Sequence, residues 1–156
     1  MANTIEGALV SPKGRFAICV SRFNSFVTDA LLAGAVDALV RHGVADKDID
    51  IYKCPGTWEL APLVNRVAHN KKYVGVITLG CVIRGGTPHF EYVAGEVTKG
   101  IGMVSMSAPA AVTFGVLTTD NVEQAIDRAG VKSGNKGAEA AVACIEMVNL
   151  YAQLGR

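Results

Sequence analysis

The chain lacks paired cysteines. Cys19, Cys54, Cys81 and Cys144 are scattered, and no C-x-x-C occurs. This argues against a disulfide frame or a zinc ribbon and fits a reducing compartment, so the cytoplasm is the expected location. Charge is also scarce. Only 19% of the 156 residues are Asp, Glu, Lys or Arg, and the formal net charge is +1. No broad electrostatic surface is expected for nucleic acid or an anionic membrane. No apolar run is long enough to span a bilayer. The opening MANTIEGALVSPKG has neither a basic start nor a long apolar stretch, so no signal peptide is expected. No set of His, Asp and Glu has metal-ligand spacing, and no Ser or Cys sits in a nucleophile elbow. What is plentiful is apolar: 50% of residues are hydrophobic and the mean hydropathy is +0.30. The length predicts a single domain, 1–156, large enough for its own core. Its surface is apolar for a small monomer, which predicts subunit contacts.

Apolar β-branched runs alternate with amphipathic ones. Strands are predicted at Arg15–Val20, Ile49–Cys54, Tyr73–Leu79 and Ala111–Leu117. Helices are predicted after each. The first follows the good caps Asn24 and Ser25, buries Val27, Ala30, Leu31, Ala35, Ala38 and Leu39, and ends at Gly43. The second covers Thr57–Asn70 and the third runs from about Phe90 to Met106. The fourth is capped by Thr118, Thr119 or Asp120 and reaches Ala129, and the last spans Ala138 to about Leu154 after a Gly/Lys-rich loop, Gly130–Gly137. Four alternations predict a parallel sheet covered by helices on both faces, with ligands beyond the carboxyl ends of the strands. The last helix carries two apolar stripes. One is expected to cover the sheet and the other to meet a partner copy.

The stretch that concentrates chemistry is Gly80–Gly95, GCVIRGGTPHFEYVAG. Arg84, Gly85, Gly86, Thr87, Pro88 and His89 fall between a strand and a helix. Glycines let backbone N–H groups approach a ligand, and a helix start adds unpaired donors that suit phosphate. His89 is placed to move protons near neutral pH. A Gly-Gly pair is also an ordinary turn signal, so agreement with other stretches decides. Phe23 stands at a strand-to-helix corner, where it either stacks on a planar ligand or staples the helix. Glu59, beside Trp58, either suits the helix start or binds ligand hydroxyls. Arg128 either complements a helix C-terminus or grips phosphate bidentately. His42, His69, Lys132 and Lys136 look like ordinary surface residues.

These residues occur in five ordered blocks: SRFN (Ser21–Asn24), PGTWE (Pro55–Glu59), VIRGGTPHFEYV (Val82–Val93), FGVLTT (Phe114–Thr119) and RAGVKSGNKGAEAA (Arg128–Ala141). In this the chain resembles the lumazine synthase family, from Arg15 to about Leu150. The resemblance implies a flavodoxin-like three-layer αβα sandwich with a central four-stranded parallel sheet. It also implies an N-terminal strand free to pair with a neighbouring subunit. It implies condensation of 5-amino-6-(D-ribitylamino)uracil with 3,4-dihydroxy-2-butanone 4-phosphate, without metal or organic cofactor. His89 would be the proton donor and acceptor. Phe23 would stack on the pyrimidine, and Thr57, Trp58 and Glu59 would hold the ribityl chain. Cys81, Val82 and Ile83 would bind the pyrimidine edge, and Gly86 and Thr87 the phosphate. Phe114 and Arg128 would come from an adjoining subunit of a homopentamer. Twelve pentamers would close a sixty-subunit icosahedral shell, with riboflavin synthase a partner that it can enclose. Thr57 and Cys81 depart from the commonest family residues, and a cysteine at 81 is expected to expose the pocket to oxidation. The rival is a catalytically idle carrier or shell, against which His89, Arg128, Phe23 and Glu59 argue together.

Overall fold

The computed structural model describes residues 1–155. Four strands form one parallel sheet: β1 (Arg15–Ser21), β2 (Ile49–Cys54), β3 (Tyr73–Ile83) and β4 (Ala111–Thr119). Their order is β2-β1-β3-β4. The helices are α1 (Ser25–Arg41), α2 (Leu60–Ala68), α3 (His89–Ser107), α4 (Val122–Asp127) and α5 (Lys136–Leu154). Alternation along β3 sorts the core. Ile77, Leu79 and Cys81 face α1 and α5, while Val76 and Val82 face α2 and α3. This is the expected three-layer αβα sandwich. Leu31, Leu39 and Ile145 are fully buried on the first face, and each such side chain contributes about 1.5–3 kcal/mol by leaving water.

Helices α1 and α5 touch backbone to backbone. A Cβ at Gly137 would run into the Leu31 carbonyl, and one at Gly34 into the Asn135 side chain. Asn135 locks the crossing. Its Nδ2 donates to the Ala30 carbonyl at 3.0 Å, and its Oδ1 accepts from the Gly137 and Ala138 N–H groups. Asn135 thereby starts α5 two residues before the expected Ala138. It also corrects the two-stripe argument: Ala140, Ala141, Cys144 and Ile145 are all buried within this chain, because α5 fills the space between α1 and the sheet. The outer side of the second stripe stays uncovered in this chain: Ala143 and Leu154 are exposed, and Met147, Leu150 and Tyr151 are half-buried.

Other boundaries also differ from expectation. Thr57–Glu59 is a 3-10 turn and α2 starts at Leu60. β3 continues through Ile83 and β4 through Thr119, because Gly80–Ile83 pairs with Val116–Thr119. The cap of α4 is Asn121, whose side chain accepts from the Gln124 N–H at 2.9 Å. Within the Gly/Lys-rich loop lies a small antiparallel hairpin, β5 (Ala129–Val131) and β6 (Gly134–Asn135). The residues before β1 form no strand within their own chain. They run along α5, where Asn149 Nδ2 donates to the Ala8 and Val10 carbonyls at 2.6 and 2.8 Å.

Candidate active site

Strand order reverses between β1 and β3: β1 leads outward to β2, and β3 leads the other way to β4. Open α/β sheets bind ligands at such a switch point, beyond the carboxyl ends. A cavity of about 520 Å³ opens there, within the usual range for small-molecule sites. Phe23 and Asn24 come from the β1–α1 corner, Gly56, Thr57, Trp58 and Glu59 from the β2–α2 corner, and Cys81, Val82 and Ile83 from the end of β3. Gly85 and Thr87 follow in the loop, and His89 opens α3. The rings of Phe23 (69% exposed), Trp58 (58%) and Tyr92 (67%) stand bare in or beside this opening. Bare aromatic surface of this kind marks a place where something binds.

The floor of the cavity is a strand with one free edge. β1 pairs with β3 only as far as Val20 opposite Leu79, so Gly80–Ile83 outrun it. On that side Asn24 Nδ2 donates to the Cys81 carbonyl at 2.9 Å. On the other side the Arg84 N–H donates to the Thr119 carbonyl at 2.8 Å. Backbone groups alternate sides along a strand. The N–H and C=O groups of Cys81 and Ile83 therefore face the cavity, and those of Val82 face β4. Such a row of donors and acceptors fits the edge of a planar heterocycle.

The loop is shaped for something outside the chain. A Cβ at Gly85 or Gly86 would meet nothing within 4 Å, and neither glycine has a left-handed φ. Nothing in the fold itself demands glycine there. Arg84, by contrast, is committed. Its Nη1 donates to Glu91 and its Nε to Asp120, both at 3.1 Å, and its guanidinium lies 4.4 Å over the Phe90 ring. Asp120 first, then Glu91, hold the Arg84 pKa above its ordinary value. An anion in the loop would thus meet the N–H groups of residues 85–87 and the start of α3 rather than Arg84.

Cys81 corrects an expectation. Its side chain is buried toward α1 and α5, and burial pushes its thiol up to about 11. Thiolate is the reactive form, so this cysteine is inert near neutral pH.

Three expected residues do not line the cavity: Gly86, Phe114 and Arg128. Phe114 pairs with Thr78, three positions before the Cys81–Leu117 pair and so about 10 Å back from it at the usual rise. Arg128 ends α4 and gives one Nη1 to the Gln124 carbonyl at 2.9 Å. Conversely, the lining includes Asn24, Gly56, Phe90, Tyr92 and Val93, to which the sequence assigned no site role. His89, Tyr92 and Val93 share one helix face at i, i+3 and i+4, a spacing from which Tyr92 could have been found.

Residues 13–152 match the family model for 6,7-dimethyl-8-ribityllumazine synthase. A curated relative of that name from Myxococcus xanthus (strain DK1622) is 69% identical over 159 residues, covering 99% of this chain and 95% of its own length. Relatives of the same name from Anaeromyxobacter sp. strains Fw109-5 and K are 55% and 56% identical, each over 99% of this chain and 94% and 95% of their own. With a match of this extent, and a switch-point cavity built from the same blocks, the chain belongs to the 6,7-dimethyl-8-ribityllumazine synthase family.

Proposed function

We propose that this chain is a single lumazine synthase domain. It condenses 5-amino-6-(D-ribitylamino)uracil with 3,4-dihydroxy-2-butanone 4-phosphate to 6,7-dimethyl-8-ribityllumazine, phosphate and water. The 5-amino group adds to the ketone and water leaves as the imine forms. Phosphate is then eliminated, the enol tautomerises, and the ribitylamino nitrogen closes the ring with loss of a second water. Phe23 stacks on the pyrimidine, whose edge meets the Cys81 N–H and the backbone groups of Ile83, beside Val82. Thr57, Trp58 and Glu59 hold the ribityl chain. Gly86 and Thr87 take the phosphate at the start of α3, and His89 relays protons. General acid–base help of this kind is worth roughly 10²–10⁴ in rate, and alignment of two bound substrates supplies much of the rest.

The observation that carries this reading is the cavity at the switch point, into which three separate sequence blocks converge. The decisive assay mixes the purified protein with both substrates and follows lumazine absorbance and released phosphate together. Neither signal would mean an idle carrier.

The reading extends to assembly in the cytoplasm. Phe114 and Arg128 lie outside the cavity of their own chain, so they are assigned to the site of an adjoining copy. The outer edge of β2 is free, Ile51 beside it is 46% exposed, and Ile5, Leu9 and Val10 are exposed on the N-terminal segment. That segment is assigned as an added strand on a neighbour's β2, in a homopentamer and then a sixty-subunit shell able to enclose riboflavin synthase. Mass in solution tests the assembly. Mixing and reassembling His89→Ala with Arg128→Ala subunits tests the shared site, because only a composite cavity regains activity.

A further inference from the structure

Asn24 has no part in the roles assigned above. Among the described residues it is the one non-glycine with a left-handed backbone, φ 62 and ψ 47. Asparagine tolerates that region better than most residues, but the conformation still costs free energy, and such strain gathers where geometry matters. Asn24 also holds the N-cap position of α1 without capping it: its backbone carbonyl, not its side chain, accepts from the Val27 and Thr28 N–H groups, each at 3.0 Å. The amide is instead turned onto the Cys81 carbonyl, 57 positions away in sequence.

The place of that bond explains its use. In a continuing sheet, a strand N–H would take the Cys81 carbonyl. β1 has already ended, and the Asn24 amide supplies that one rung in its stead. The same corner is tied on its other side, where the Arg22 and Phe23 N–H groups donate to the Cys54 and Pro55 carbonyls at 2.8 and 3.1 Å. The Phe23 ring is thus carried on a corner fixed to both neighbouring strands. The ring and the Cys81–Ile83 segment line the same cavity.

We propose that Asn24 is a positioning residue, a strut that sets the spacing between the Phe23 ring and the β3 edge and so governs affinity for the pyrimidine substrate. This rests on the function proposed above. The test uses Asn24→Gly, which keeps the left-handed backbone without the amide, and Asn24→Asp, which tolerates the same backbone but cannot donate and sets a carboxylate against the carbonyl. Steady-state rates are measured against each substrate in turn, with thermal midpoints alongside.

The expected result is a KM for the pyrimidine raised about two- to tenfold in Asn24→Gly, the worth of one hydrogen bond, and raised further in Asn24→Asp. The KM for the butanone phosphate stays within about twofold. Equal loss for both substrates, or parental kinetics in both variants, overturns the proposal. A parent enzyme that makes no product is a separate outcome: it overturns the function, and the proposal with it.

Discussion

Gly86→Ala separates a loop built for a ligand from a loop that is only a turn. Its new methyl would find open space within the chain, and the backbone is not left-handed. On stability grounds the change should help. Replacing glycine where alanine fits stabilises by about 0.4–1 kcal/mol, through the unfolded chain. For a domain of this size that raises Tm by about 1–4 °C. On functional grounds it should hurt, because the methyl enters the space where phosphate oxygens would approach the N–H groups. Hydrogen bonds to a charged group are worth about 1.5–3 kcal/mol, so losing one raises KM for the butanone phosphate roughly 10- to 150-fold. Initial rates at saturating pyrimidine, with calorimetry on the same preparation, read both effects. Gly137→Ala is the control. Its methyl meets the Leu31 carbonyl, and overpacking of this kind costs about 1–3 kcal/mol or more. A Gly86→Ala enzyme with parental KM refutes the phosphate cradle. One as destabilised as Gly137→Ala refutes the claim that the fold does not need that glycine.

Four further substitutions have defined outcomes. His89→Ala, at an exposed first position of α3, should lower kcat by roughly 10²–10⁴ with an unchanged melting profile and assembly mass; an unchanged kcat removes His89 from the chemistry. Asp50 accepts hydrogen bonds from Lys72, Tyr73 and Arg15, and these hold its carboxyl well below the usual carboxylate range. Because the folded pKa is depressed, its stabilisation is complete above the unfolded value of about 3.9 and fades as pH falls below it. Asp50→Asn should therefore be less stable at pH 7 and should lose less on acidification, and parallel pH–stability curves would contradict this. Thr28 Oγ1 is buried with no partner among the described residues, whereas Thr78 Oγ1 donates to the Thr113 carbonyl at 2.7 Å. In denaturant titrations Thr28→Val should be neutral or stabilising and Thr78→Val should cost about 1 kcal/mol; equal losses would refute the contrast.

The sheet was legible because its strands are β-branched runs between turn residues, and a strand buried on both faces needs little else. Its ends were not. Thr118 and Thr119 read as caps by side chain, yet they extend β4 because Val82 and Ile83 need partners. Asn121, one residue beyond Asp120, has the extended backbone that a cap requires. The two apolar stripes of α5 were read as one for the sheet and one for a partner copy, yet Ala140 and Cys144 of the second also pack inside this chain. Periodicity shows that a face must be covered and cannot say by which element, and here α1 covers it at glycine-permitted distance. Among the site residues, those carried by blocks with unusual glycine, aromatic or histidine content were found. Asn24 was seen only as a helix cap, because its bond to Cys81 depends on where two distant strands end.

The charge around the cavity bears on where the remaining groups come from. Among the described residues lining it, Glu59 brings a carboxylate and His89 an imidazole, and no Lys or Arg is present. Arg84, the nearest cation in sequence, is held by Glu91 and Asp120. The dipole of a helix start adds only about 0.3–1 kcal/mol for an anion at an exposed surface, little against a carboxylate in the same cavity and a leaving group gaining charge. On the proposed function, a phosphoester eliminated there would draw a guanidinium or ammonium from outside this chain's own lining. Arg128 gives one of its five donors to the Gln124 carbonyl, which orients the side chain and leaves donors for a bidentate grip. Among the described residues the chain thus has a cavity with no cation of its own and, elsewhere, a braced cation, Arg128, with no carboxylate partner. On the proposed function, cyclic association would satisfy both needs in every subunit at once, and one protomer alone is expected to bind the phosphate substrate poorly.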